Sequence, residues 1–243
     1  MTKDRRDPTT STRQPPAPGA TRPEIEQFLS KVDALGPAVR AGARGRLVFA
    51  LDATMSRQPT WDTACVLQAD MFREAASVGG LDIQLVYFRG LNECRASGWV
   101  ADSGRLATLM SRIACQGGHT QIGRVLSHAK QENERQRVQA LVYVGDAMEE
   151  PIDDLCAEAG ELGLRNLPVF MFQEGHDTVA ENAFREIARL SGGAWCRFDT
   201  GAADQLRELL RAVAAYAAGG KKALADLSAR HGRGARLLLA QMK

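Results

Sequence analysis

Short apolar runs alternate with longer helix-patterned segments along most of this chain, and that rhythm decides which folds are open to it. Arg46–Asp52 contains Leu47-Val48-Phe49-Ala50-Leu51, Val138–Val144 is nearly continuous in apolar residues, and Leu167–Phe172 repeats the pattern. A strand apolar on both sides must be covered on both sides. Leu81–Phe88 and Ala194–Phe198 read as further strands. Glu93–Val100 reads as a short antiparallel edge after the hairpin turn Arg89-Gly90-Leu91-Asn92. Helical spacing and end signals predict helices over Trp61–Val78, from Asp102 or Ser103 to about Ala114, and from Thr120 to about Arg135. Three more are predicted from Pro151 to near Gly163, from Asp177 or Thr178 to about Leu190, and over Gln205–Ala218. The alternation implies an α/β fold, doubly wound, with a mostly parallel sheet and helices on both faces.

Such sheets bind ligands beyond the carboxyl ends of their strands, where the winding direction reverses. If the chain winds outward through its second and third strands and then returns past the first, the first and fourth strands flank that point. The first ends in Asp52-Ala53-Thr54-Met55-Ser56, one carboxylate and two hydroxyls on a tight loop. The fourth runs into Gly145-Asp146, and Thr120 follows Gly117-Gly118-His119 on another loop. Two carboxylates brought together repel, and one pKa rises. A divalent cation removes that conflict. Two acids, three hydroxyls and waters match the six-oxygen shell of Mg²⁺ at ~2.0–2.1 Å, with Mn²⁺ or Ca²⁺ as alternatives. Apart from His119 nothing nearby favours zinc or copper.

Asp52, Thr54, Ser56, Thr120 and Asp146 together resemble the metal-ion-dependent adhesion site of von Willebrand factor A (VWA) domains, over roughly residues 44–218. Thr54 stands where the family more often has serine. The family usually follows its third-loop aspartate with glycine, whereas here Gly145 precedes Asp146 and Ala147 follows it. The resemblance implies a six-stranded sheet in the order 3-2-1-4-5-6 with the third strand antiparallel. It also implies bound Mg²⁺ and a non-enzymatic adaptor that binds a partner's Asp or Glu. The chain would be an intracellular VWA protein of bacterial type. Intracellular relatives often work with ring-forming AAA+ ATPases, so such a system is an expected partner.

Composition narrows the setting. Net charge is +2 over 243 residues, but residues 1–25 carry +2 and residues 219–243 carry +5, which leaves −5 on the body between them. An acidic body argues against nucleic-acid binding. Five scattered cysteines without a C-x-x-C read as reduced, mostly buried thiols and suit a cytoplasmic protein. No apolar run is long enough to span a membrane. Residues 1–22 read as a disordered arm, 23–43 as a helix and linker, 44–218 as the VWA-like domain, and 219–243 as a basic, helix-prone extension.

Other residues have ordinary explanations. His119 reads as a solvated loop histidine, with contact to a ligand as the alternative, and His128 as structural or surface. Glu149 and Glu150 either rim the site or serve as N-cap or first-turn acids ahead of Pro151. Trp61 serves either helix-start packing or, with Arg57, a partner surface. Two further functional classes compete. One is a Mg²⁺-dependent phosphohydrolase with Asp52 as nucleophile, although the usual general-acid position two residues later is Thr54. The other is a scaffold with a vestigial site, using the N-terminal arm and residues 218–243.

Overall fold

The computed structural model describes residues 44–61, 65, 81–198, 212, 213, 217 and 226. The helices predicted before residue 44, over most of 61–78 and over most of 205–218, and the basic extension, lie outside the described residues. The strands are β1 (Gly45–Asp52), β2 (Leu81–Arg89), β3 (Glu93–Ala96), β4 (Ala140–Gly145), β5 (Val169–Glu174) and β6 (Ala194–Phe198). The helices are α1 (Ser103–Met110), α2 (Ile122–Arg135), α3 (Ile152–Leu164) and α4 (Thr178–Ser191), with a 3₁₀ turn at Met55–Thr60.

The six strands lie in the order β3-β2-β1-β4-β5-β6. β1 pairs in parallel with both β2 and β4, while β3 runs antiparallel to β2. The winding therefore reverses between β1 and β4, where Leu51 stands opposite Val144. Side chains alternate across the sheet and feed two cores. Leu47, Phe49 and Leu51 pack with Val142, Val144, Leu106 and Met110 on the α1 side, where Trp61 and Val213 join them. Val48 and Ala50 pack with Leu141 and Tyr143 against Val125, Leu155 and Phe184 of α2, α3 and α4. Strands covered on both sides explain the unbroken apolar runs.

Three boundaries differ from expectation for local reasons. β3 stops at Ala96 because the Ser97 hydroxyl accepts the Leu85 amide in place of a backbone carbonyl (3.0 Å). Only Val100 re-forms an antiparallel bridge, to Ile83. β5 starts at Val169 because Leu167 still donates to the carbonyl of Leu162 and so completes the end of α3. α2 begins at Ile122, not Thr120, because its first amide groups are met by acidic side chains from another loop.

Candidate metal centre

β1 delivers Asp52 fully buried at its carboxyl end. The loop that follows is fixed from two sides: Ala53 donates to the carbonyl of Phe88 on β2, and Gln116 donates to the carbonyl of Ala53, both at 3.0 Å. Asp52 Oδ1 accepts the Thr54 amide at 2.7 Å. The Thr54 and Ser56 hydroxyls lie 3.0 Å apart. Ser56 Oγ then donates to Asp146 Oδ1 at 3.1 Å, across 90 residues of sequence. Four of the five expected residues thus form one continuous hydrogen-bonded set at the β1/β4 crevice.

Thr120 joins differently. It is buried, and its amide donates to Glu149 Oε2 while its hydroxyl accepts the Glu149 amide, both at 3.0 Å. It is tied to the loop after Asp146 rather than bonded to Asp52 or Ser56. Its own loop is held against the β2–β3 turn. A Cβ on Gly118 would stand 2.0 Å from the carbonyl oxygen of Gly90, so only glycine permits this approach.

Glu149 and Glu150 correct the capping reading of the sequence. They do not serve the helix that follows them. Glu150 accepts amides of Ile122 and Gly123 at the start of α2, the second at 2.9 Å. Glu149 also contacts exposed His119 at 3.0 Å. Both acids sit where the positive end of the α2 dipole favours them. Arg57 is a second correction. It is 1% exposed and so not on a partner surface, and its guanidinium pairs with Glu174 at the end of β5 at 2.9 Å. Trp61 packs in the core and donates from Nε1 to the Ile113 carbonyl at 3.0 Å. His128 is partly buried against Gln84. Of the five cysteines, all free, only Cys196 is fully buried and four are partly so.

The electrostatics are those of an acid site short of positive charge. Burial pushes the Asp52 carboxyl up to about 6; hydrogen bonds from Thr54 pull it back, Asp146 raises it further and Arg57 lowers it. Asp52 Oδ2 is buried without a hydrogen-bond partner, an arrangement that folded proteins otherwise avoid. The one guanidinium acting on Asp52, that of Arg57, is already paired with Glu174. Among the described residues no three His, Cys, Asp or Glu side chains cluster as a metal centre by themselves. A cation here would therefore rely on the hydroxyls of Thr54, Ser56 and Thr120 and on water, which is the donor set of a hard ion. The residues fit such an ion.

No protein-family model matches the chain, and no curated protein sequence does. Solved structures do. The SpRpn10 VWA domain is 14% identical over 69% of this chain and 94% of its own, with a TM-score of 0.56. A von Willebrand factor type A structure from Catenulispora acidiphila is 19% identical, covering 70% and 42% of the two chains, with a TM-score of 0.56.

The fold is that of a von Willebrand factor A domain.

A third VWA-like neighbour is proximal thread matrix protein 1 from the mussel byssus, in a form whose MIDAS motif is occupied by zinc. It is 14% identical over 71% of this chain and 46% of its own, with a TM-score of 0.57. This chain spans less than half the length of the last two neighbours. Among the described residues of this VWA fold, no helix is long and apolar enough to cross a membrane.

Proposed function

We propose that this chain is a metal-dependent protein-interaction module working in the cytoplasm, not an enzyme. Asp52, Thr54, Ser56, Thr120 and Asp146 would hold Mg²⁺, with Mn²⁺ or Ca²⁺ able to substitute. The ion would supply a coordination position that an Asp or Glu of a partner protein completes. An AAA+ ATPase system is the partner class expected from intracellular relatives. Within this reading Asp52, Ser56 and Asp146 would hold the ion, and Thr120 keeps the second loop docked through Glu149.

The observation that carries the reading is the buried, partnerless Asp52 Oδ2 beside a loop already joined to Asp146. A zinc-occupied MIDAS in a neighbour of the same fold supports a divalent ion in general. The surroundings suit a protein partner. The large apolar side chains exposed among the described residues are Met55, Leu91, Ile152, Val179 and Leu164. The first four stand on segments that follow the carboxyl ends of β1, β2, β4 and β5, around the site. Exposed apolar side chains at the same end of the sheet as a polar centre are compatible with a binding face.

The test is affinity capture from native lysate with Mg²⁺ and with a chelator, using wild type and Asp52→Ala. A protein retained only with the ion and the intact aspartate supports the reading. Retention that ignores both, but needs residues 219–243, supports a scaffold instead.

A further inference from the structure

Tyr143 lies on β4 two residues before Gly145, and its side chain is 1% exposed. Two rings clamp it. Phe88 of β2 stacks on it at 6.2 Å between centroids, and Phe184 of α4 meets it edge-on at 5.4 Å. Nothing in this packing uses the hydroxyl, which is buried without a hydrogen-bond partner. A buried phenol normally has one, and a phenylalanine would fill the same apolar space without the orphaned group.

Gly145 shows where the hydroxyl goes. A Cβ at that position would stand 2.6 Å from the phenol oxygen. The missing side chain is what lets the ring lie along β4 toward its carboxyl end. Asp52 shares that face of the sheet, because Ala50 and Tyr143 belong to the same core and alternation returns Asp52 to it. Besides burial, the charges of Asp52, Glu150 and Asp146 raise the phenol pKa well above its usual value. A donor without an acceptor and an acceptor without a donor, Tyr143 Oη and Asp52 Oδ2, are thus buried in one region. The structure gives them no direct hydrogen bond.

We propose that Tyr143 is a positioning residue of the metal centre, its hydroxyl joined through one ordered water to one lone pair of Asp52 Oδ2 while the other lone pair is left to the cation, so that the carboxylate is held in place for the ion. This rests on the metal-binding reading above. A single water with two or more polar partners is the usual way such atoms are satisfied. Groups that orient a ligand in this way change metal affinity by about ten- to hundredfold. The inference also accounts for a glycine ahead of Asp146, where it makes room for the phenol.

The experiment is a calorimetric Mg²⁺ titration of the full chain as wild type, Tyr143→Phe and Asp52→Asn. Thermal melts without the ion and ultraviolet difference spectra accompany it. Tyr143→Phe should weaken Mg²⁺ binding about ten- to hundredfold while leaving the ion-free melt unchanged or raised. Wild type should show a tyrosine difference spectrum on Mg²⁺ addition that Tyr143→Phe lacks. Unchanged affinity in Tyr143→Phe, with binding lost in Asp52→Asn, would overturn the tyrosine's role and leave the metal site standing. Wild-type affinity in Asp52→Asn would overturn the metal site and this inference with it. A wild-type spectrum that ignores the ion while Mg²⁺ binds would also overturn it, without recourse to any variant.

Discussion

Two clusters of buried charge, one at each end of the sheet, are built in opposite ways. At the amino end, Arg46 and Glu132 are almost wholly buried and paired with each other. Arg46 bonds Glu132 at 3.1 Å and the Gln136 carbonyl at 2.6 Å, and it lies 3.7 Å over the Trp99 ring. Glu132 also accepts from Trp99 at 2.8 Å and from Arg135 at 2.6 Å. Burial acts to raise the Glu132 pKa, yet these hydrogen bonds outweigh it and hold the group below its usual value. At the carboxyl end, Asp52 rises to about 6, keeps one oxygen without a donor and faces a second acid. A charge cluster closed within the chain holds the fold. One left with a partnerless carboxylate oxygen beside a second acid is open to something from outside.

The strongest challenge to this contrast is to open the closed cluster. Glu132→Ala leaves Arg46 buried and unpaired, and should destabilise the domain by about 3–5 kcal/mol in a denaturant melt. A loss under about 1 kcal/mol would mean that the amino-end cluster is as dispensable as a surface pair.

The second is a pH series on ion-free protein. Asp52 has a folded pKa of about 6 against an ordinary 3.8. Below 3.8 both states hold the proton. Between the two values only the folded state keeps it, so each step up in pH favours unfolding, and above about 6 the penalty is complete. The shift corresponds to stability lower by on the order of 3 kcal/mol at neutral pH than well below pH 3.8 from this group. Asp52→Asn should flatten that slope. Mg²⁺ should offset the neutral-pH penalty, and its apparent affinity should fall as acid protonates the site. An identical slope in Asp52→Asn would show that the orphaned oxygen is not a source of instability.

A smaller effect concerns the second loop. Glu150→Ala removes the acceptor for two amides at the start of α2. It should cost about 1 kcal/mol, with faster hydrogen exchange at Ile122 and Gly123. Unchanged exchange there would show that other groups hold this end of the helix.

What the sequence disclosed follows the range of each interaction. Asp52, Thr54 and Ser56 lie within five residues, so their convergence is encoded locally, and the apolar runs of β1 and β4 announce buried neighbours. The pairing of Ser56 with Asp146 could be anticipated because winding places those strand ends together. Arg57 escaped because its partner Glu174 is remote in sequence, and nothing near Arg57 marks it as buried. Glu149 and Glu150 looked like caps for the helix just ahead, because a sequence shows only the nearest helix start. In space the nearer one is that of α2. Thr120 belonged to the right loop, but its bond runs to Glu149. β3 was overread because Ser97 imitates a backbone acceptor, which no propensity records.

The most direct measurement is crystallographic: crystals grown with Mn²⁺, with data collected for its anomalous signal. The account predicts one strong peak in the β1/β4 crevice within bonding distance of Asp52, Ser56 and Asp146, lost in Asp52→Asn. Asp52 and Asp146 turned from a common centre, with no peak at saturating Mn²⁺, would contradict it.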